Sequence, residues 1–155
     1  MVLTNIKSLL SGCIIVSCCM LITACATAPI QEMSDARQSL QAAHDAGAKK
    51  YASTTLQSAK SALEQAEKKL GDRAFREARM NAITAKVEAM DAQKIALAIA
   101  DAETAISRAA KNGTLSPEAE SLFKQAQQAA SEGKKQQAVK LANEAKLKAE
   151  QLPGP

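Results

Sequence analysis

Cysteine, histidine and aromatic residues are scarce in this chain of 155 residues. All four cysteines lie near the N-terminus, so the chain after Cys25 can form neither a disulfide nor a cysteine-based catalytic or metal site. Tryptophan is absent, and the other aromatic residues, Tyr51, Phe75 and Phe123, are far apart. Nucleic-acid-binding proteins usually combine stacking aromatics with a concentrated basic patch. Here Lys and Arg (20) only slightly exceed Asp and Glu (16), so we expect no nucleic-acid partner.

Catalytic motifs are missing from the sequence as well. The single histidine, His44, has neither a second histidine nor a nearby cysteine to complete a metal site. The chain contains no Gly-x-Ser-x-Gly elbow and no glycine-rich phosphate loop. Acidic pairs such as Glu118 and Glu120 lie among Lys and Gln, whereas paired catalytic carboxylates need a cleft. We therefore expect no enzyme activity, no catalytic residue, no metal and no cofactor.

One apolar run lies at the N-terminus and ends in Leu21-Ile22-Thr23-Ala24-Cys25. Lys7 precedes the run, which is shorter than the roughly 20 residues of a transmembrane helix. A branched apolar residue, a small residue, Ala and Cys form a lipobox. We predict a lipoprotein signal peptide over residues 1–24, cleavage between Ala24 and Cys25, and lipidation of Cys25. The alternative is an ordinary secretory signal that is cleaved at small residues nearby.

A lipidated Cys25 would carry acyl chains on its thiol and its α-amine, which suffices for stable membrane anchoring. Residues 25–30 would then tether the anchor to the folded domain. By analogy with other lipoproteins, Ala26 after the lipidated cysteine favours the outer membrane. We expect a lipid-anchored protein on the periplasmic face of that membrane.

Residues 31–152 are rich in Ala, Gln, Lys and Glu, which are good helix formers, and show no alternating strand pattern. Glycines interrupt this segment at positions typical of helix ends. We predict about five helices, over residues 31–46, 54–70, 73–111, 117–132 and 135–151. Ser116 is the expected cap of the fourth helix, ahead of Pro117, and Ser53 or Thr54 is the expected cap of the second.

The third helix is the predicted centre of the fold. Its apolar residues recur with alternating spacings of three and four, as in a left-handed helix-packing seam. The seam comprises Phe75, Ala78, Ala82, Ala85, Ala89, Ala92, Ala96, Ile99 and Ile106. A second stripe of Ile83, Met90 and Leu97 predicts that the helix packs against partners on two faces. Because each buried methyl of Ala contributes only about 0.8 kcal/mol, we expect a thin core and modest stability.

An internal repeat relates residues 61–90 to residues 121–150 without a gap. The identical pairs are Ser61/Ser121, Gln65/Gln125, Ala66/Ala126, Ala78/Ala138, Ala82/Ala142, Ala85/Ala145, Lys86/Lys146 and Ala89/Ala149. The repeat and the seam together predict an all-α fold: an elongated bundle built from two helical hairpins around one long central helix, with TPR-like packing.

Five lysines cluster in the last predicted hairpin, at Lys134, Lys135, Lys140, Lys146 and Lys148. They could contact an anionic lipid or polymer. Glutamates 132, 144 and 150 lie among them, however, and this mixture favours a solvated helix face.

Short segments between residues 35 and 78 form a recognisable pattern: Asp35-Ala36-Arg37, Ala42-Ala43, Asp45-Ala46-Gly47-Ala48, Tyr51-Ala52, Leu56, Ala59, Leu63, Ala66, Leu70, Gly71-Asp72 and Phe75-x-x-Ala78. This pattern resembles the DUF4398 family of Gram-negative envelope lipoproteins, over about residues 31–100. The chain departs from it at Ser53, where members commonly carry Pro. The resemblance implies a helical lipoprotein domain over residues 31–152 and transfers no active-site residue.

The expected function is a structural or protein-interaction role in the cell envelope. The expected partners are the membrane, through the acyl chains, and an envelope protein or peptidoglycan, while self-association through the Ala seams remains open. The alternative is a helical module that binds a lipid, a peptide or a peptidoglycan fragment. A cavity lined by large apolar residues would favour this alternative.

Overall fold

The computed structural model describes residues 27–151, which form six helices and no strand. The helices are α1 (Ile30–Asp45), α2 (Ala48–Tyr51), α3 (Ser53–Gly71), α4 (Phe75–Lys111), α5 (Pro117–Ser131) and α6 (Lys135–Glu150). The predicted all-α bundle is confirmed, with the four-residue α2 added to the five helices expected from the sequence. The predicted cleavage and lipidation residues, Ala24 and Cys25, lie outside the described residues.

Helix α4 is the long central helix, with 37 residues and a length of about 55 Å. Ion pairs show how the other helices lie along it. Helix α1 runs parallel to α4, with Glu32 2.8 Å from Arg79 and Asp35 2.9 Å from Lys86. Helix α6 also runs parallel to α4 and lies farther along it, since Lys135 pairs with Glu88 and Lys146 lies 2.9 Å from Asp101. The hairpin partners α3 and α5 run in the opposite direction.

Alanine dominates the core, because 23 of the 28 buried apolar residues are Ala. The predicted seam on α4 is buried from Ala78 to Ile99, whereas Phe75 and Ile106 at its ends are half-buried. A larger side chain fills the space only in places, such as Met33 and Ile95. The thin core expected from the sequence is therefore confirmed.

The prediction that α4 packs against partners on two faces is wrong. Ile83, Met90 and Leu97 are 44 %, 52 % and 51 % exposed. The methyl-sized side chains of the seam allow α1, α3 and α6 to approach α4 closely on one side. None of the described helices covers the opposite face, where Ile83, Met90 and Leu97 lie.

The two predicted helix caps have different outcomes. The Ser116 hydroxyl accepts a hydrogen bond from the Glu118 amide at 3.2 Å, with Pro117 as the first residue of α5, as expected. The cap predicted for α3 is wrong, because Ala52 precedes this helix and gives it no side-chain cap. The hydroxyl of Thr54 instead donates to the Ser131 carbonyl at 2.9 Å and joins the start of α3 to the end of α5.

The internal repeat has a structural counterpart. The amide of Gln65 donates to the Ser61 hydroxyl at 3.4 Å, and the amide of Gln125 donates to the Ser121 hydroxyl at 3.3 Å. All five aligned Ala pairs are buried in both copies. The α3–α4 hairpin and the α5–α6 hairpin thus use the same Ala spacing to pack.

Candidate interaction surface

Helix α4 carries an exposed apolar stripe on the face opposite its Ala seam. The stripe consists of Met80, Ile83, Val87, Met90 and Leu97, with exposed fractions from 44 % to 61 %. The spacings alternate between three and four, and Lys94 occupies the position that continues the pattern between Met90 and Leu97. The stripe therefore follows one line along the helix for more than two heptads.

Sequence reasoning identified three residues of this stripe and missed two. Met80 and Val87 extend the spacing of Ile83, Met90 and Leu97 by the same three-four rule. Applying that rule between Ile83 and Met90 finds Val87, and continuing it toward the N-terminus of the helix finds Met80. The sequence could not show that the stripe is exposed, since periodicity marks an apolar face without showing what covers it.

The narrow width of the stripe favours a helical partner over a membrane surface. A helix that lies in a bilayer interface buries a broad apolar face. A stripe with only two apolar positions per heptad is the seam of a coiled coil. Lys94 lies at the kind of position where a single polar residue fixes register and partner choice.

Ion pairs that join α4 to the neighbouring helices border the stripe on both sides. On the α1 side, the Lys86 ammonium donates to Asp35 at 2.9 Å, and this bond, together with one from Gln31, lowers the pKa of the Asp35 carboxyl. On the α6 side, Lys135 bonds to Glu88 and, at 3.1 Å, to Asp91. Burial lowers the pKa of Lys135, but these two carboxylates outweigh it and raise the pKa overall.

A shallow groove of about 420 Å³ lies beside the stripe, between α4 and α6. Its apolar lining comes from Ile95, Val139 and Leu147, and Leu147 is itself 55 % exposed. Charged side chains, among them Lys94 and Lys140, surround these three residues. The lining includes Lys94 but none of the five apolar residues of the stripe, so the groove is a separate apolar surface beside the stripe.

The lysine cluster of the last hairpin is engaged in ion pairs within the fold. Lys134 pairs with Glu132 at 2.7 Å, Lys135 with Glu88 and Asp91, Lys140 with Glu144 at 3.8 Å, Lys146 with Asp101 at 2.9 Å and Lys148 with Glu118 at 3.2 Å. These pairs agree with the solvated helix face that the mixed charges predicted, and three of the lysines connect α6 to α4 or α5.

Histidine and the carboxylates form no candidate metal site in the described part of the chain. His44 is half-buried in the last turn of α1. Among residues 27–151, no group of three His, Cys, Asp or Glu side chains could hold a metal ion. None of the helices in this range has the length and apolar character needed to cross a membrane.

Comparison with known proteins gives one match. The family described as "Domain of unknown function (DUF4398)" matches residues 31–114, which is more than half of the chain and extends past the end of α4. No curated protein and no solved structure matches the chain.

Proposed function

The chain belongs to the DUF4398 family, and we propose that it is a membrane-anchored periplasmic lipoprotein whose bundle binds a helix of another envelope protein. The exposed stripe on α4 is the observation that carries this proposal. Met80, Ile83, Val87 and Met90 provide four apolar side chains in line, which is how helix-in-groove and coiled-coil partners are recognised. The bundle itself is the rigid support that presents them.

The membrane location rests on the lipobox at Leu21-Ile22-Thr23-Ala24-Cys25. Acyl chains on Cys25 would hold the bundle at the membrane without a spanning helix. Ala26 supports the outer membrane as the destination. Anchoring would also favour a partner in the same membrane, because two tethered proteins meet at a raised effective concentration.

Binding of a small lipid or peptide is the second candidate function, and the groove between α4 and α6 is the feature that favours it. The groove offers Ile95, Val139 and Leu147 to an apolar ligand. Ligand pockets typically have volumes of about 300–1,000 Å³ and bury most of the surface of their ligand. Charged side chains surround these three residues, and none of the apolar residues of the stripe lines the groove, so binding of a small ligand ranks second to binding of a helix on the stripe.

Site-specific photocrosslinking in a Gram-negative host tests the interaction. A photoreactive amino acid at Met90 reports on the stripe, and the same amino acid at Ser107, an exposed residue of α4 outside the stripe, is the matched control. We expect a crosslinked species of one discrete mass from position 90, lost when Val87→Glu is added. Equal crosslinking from both positions, or none from position 90, would contradict the proposal.

Intact mass and membrane fractionation test the anchor separately. The mature protein should begin at Cys25, carry added acyl mass and sediment with the outer membrane. The Cys25→Ala variant should lose both the acyl mass and the sedimentation. A soluble species cleaved at another residue would contradict the anchor and leave a diffusible binder.

In the crosslinking experiment, an adduct of twice the protein's mass would identify the partner helix as a second copy of this chain.

A further inference from the structure

One end of the bundle lies where the proposed anchor joins the fold. We define this basal end as residues 27–32 and 68–79, which comprise the start of α1, the end of α3, the turn into α4 and the first turn of α4. The guanidinium of Arg79 donates to the Thr27 carbonyl at 3.3 Å, so the first described residue is tied to α4. Cys25 precedes Thr27 by two residues, and two residues reach at most about 7 Å.

This short reach fixes which part of the bundle meets the membrane. If Cys25 carries acyl chains, its backbone lies at the headgroup level, and Thr27 cannot be far from it. The basal end is then the part of the fold nearest the lipid. The opposite end of α4, near Asn112, lies about 55 Å away along the helix.

The basal end has the charge that an anionic membrane surface attracts. It contains five cationic side chains, Lys68, Lys69, Arg73, Arg76 and Arg79, and three carboxylates, Glu32, Asp72 and Glu77. Arg79 pairs with Glu32, and Lys69 pairs with Glu77. Among the described residues, Lys68, Arg73 and Arg76 form no ion pair and are exposed. Ile30, which is 73 % exposed, adds an apolar side chain to the basal end.

Arg73 occupies a backbone position that glycine fills elsewhere in this protein. Its φ is 57°, and it is the one residue other than glycine with a positive φ among residues 27–151. The amide of Ala74 bonds to the Lys69 carbonyl at 2.9 Å, as the amide of Lys134 bonds to the Ala129 carbonyl at 2.8 Å in the other hairpin. The internal repeat aligns Arg73 with Gly133, whose φ is 73°.

A third turn confirms the comparison. The amide of Thr114 bonds to the Ala109 carbonyl at 2.9 Å, and Gly113 holds the left-handed position at φ 71°. Glycine is the residue that this position favours, because a Cβ disfavours the left-handed conformation. Only the turn at the basal end carries a long cationic side chain there. Because strained backbone positions cluster at functional sites, an arginine at this position indicates a role for its side chain beyond packing.

We propose that the basal end binds anionic phosphate headgroups of the membrane that holds the anchor, with Arg73 and Arg76 as the contacting residues. Their guanidinium groups suit phosphate oxygens, since the planar fork donates two parallel hydrogen bonds. The contact would stand the bundle on its basal end and hold the stripe of α4 at a defined height above the lipid. This inference rests on the proposed lipid anchor.

The test uses the lipidated full protein reconstituted into phosphatidylcholine vesicles, with and without phosphatidylglycerol. A fluorophore is attached either at Asp72→Cys, next to Arg73, or at Asn112→Cys, at the far turn. Quenching by lipids that carry a spin label on the headgroup measures proximity to the membrane surface. We expect strong quenching at position 72 in anionic vesicles, less in phosphatidylcholine alone and little at position 112.

Charge variants separate the headgroup contact from the tether. The double variant Arg73→Gly with Arg76→Gln should lower the equilibrium constant for membrane contact by about fivefold for each lost cation. The matched control, Arg108→Gln with Lys111→Gln, removes two cations from the far end and should leave quenching unchanged. Arg73→Lys should retain more of the contact than Arg73→Gly, because it keeps the charge and loses only the bidentate fork. Raised salt should weaken the contact of the parent and change the double variant less.

Each other outcome has a defined meaning. Quenching at position 72 could be the same with and without phosphatidylglycerol, and the same after loss of Arg73 and Arg76. That result would show that the tether alone sets the distance to the membrane, and it would overturn the headgroup contact but not the anchor. Equal quenching at positions 72 and 112 would show a bundle lying flat and would overturn the end-on contact. If the protein has no acyl mass, the fluorophore also labels the free thiol of Cys25, and the vesicles do not retain the protein. That result would overturn the anchor and the headgroup contact together.

Discussion

The hydroxyl of Tyr51 donates a hydrogen bond to the carboxylate of Glu103, which joins the short helix α2 to the C-terminal half of α4. Lys50 reaches the same carboxylate at 3.0 Å and lies 4.5 Å from the centre of the Tyr51 ring. The three side chains therefore fix the connection between α1 and α3 to the central helix. Without them, this connection would be held mainly by the small buried side chains of Ala48 and Ala52.

Removing the phenolic hydroxyl tests the importance of this contact. Tyr51→Phe leaves the ring in place and should lower the free energy of unfolding by about 0.5–1.5 kcal/mol. Lys50→Met is the control, and its effect should be smaller because the Lys50 side chain is 65 % exposed. Urea unfolding followed by circular dichroism measures both variants. Tyr51→Phe matching the parent would show that the hydroxyl does not stabilise the fold.

The pH dependence of stability follows from the ion pairs. Hydrogen bonds from Tyr51 and then Lys50 lower the pKa of Glu103, and a bond from Lys86 lowers the pKa of Asp35. The unfolded chain therefore binds these protons more tightly than the folded protein. The stabilisation is complete above the ordinary carboxyl pKa of about 4 and is lost as the pH falls through the lower folded values.

On the alkaline side the sign is reversed. The bond to Glu77 raises the pKa of Lys69, and the bond to Asp101 raises the pKa of Lys146. Their contribution persists up to about pH 10 and is lost as the pH rises through the folded values. We expect a Tm plateau between about pH 5 and 10, with Glu103→Gln flattening the acid limb. A Tm that falls steadily from pH 8 to 5 would disagree with this assignment.

The sequence was sufficient to predict five of the six described helices, because Ala, Lys and Glu favour helix throughout and a glycine lies at or beside each predicted break. The short α2 was missed, because Ala52, which separates α2 from α3, is not a turn residue. The sequence also predicted the seam from Ala78 to Ile99, since small residues that recur every three and four positions indicate a line of close helix packing. It could not predict that Tyr51 and Glu103 meet, because they lie 52 residues apart and on separate helices. It also could not show that Met90 is exposed, which depends on how many helices the Ala seam accommodates.

The close packing of the seam predicts strong sensitivity to side-chain volume. Ala85 is 2 % exposed and lies in a cluster with Met33, Ala36 and Leu63. Ala85→Leu adds three carbon atoms there and should destabilise the protein by about 1–3 kcal/mol. Thr104→Leu, at an exposed residue of the same helix, is the matched control and should change stability by less than about 0.5 kcal/mol. Equal thermal melts for the two variants would refute the seam.

The left-handed turns predict opposite effects of two reciprocal substitutions. Arg73→Gly removes a Cβ from a residue with φ 57° and should raise the free energy of unfolding by up to about 1 kcal/mol. Gly113→Arg introduces a Cβ at a residue with φ 71°, and this Cβ would have no neighbouring group within 4 Å. Backbone strain alone should therefore lower the free energy of unfolding by about 1–2 kcal/mol. Thermal denaturation of both variants provides the measurement. A destabilising Arg73→Gly would show that this side chain supports the fold itself.

The final prediction concerns neighbouring residues of α4 on opposite faces. Val87 and Met90 are half-exposed, whereas Ala89 between them is fully buried. Val87→Glu and Met90→Glu should each change stability by less than about 0.5 kcal/mol, because a charge at either residue remains in water. Ala89→Glu places a carboxylate in the Ala seam and should cost more than about 3 kcal/mol. The stripe variants should nevertheless lose the crosslinked partner while melting like the parent. Comparable destabilisation by all three variants would place the stripe in a packed interface within the fold. Loss of binding without loss of stability is the property that distinguishes an interaction surface from a core.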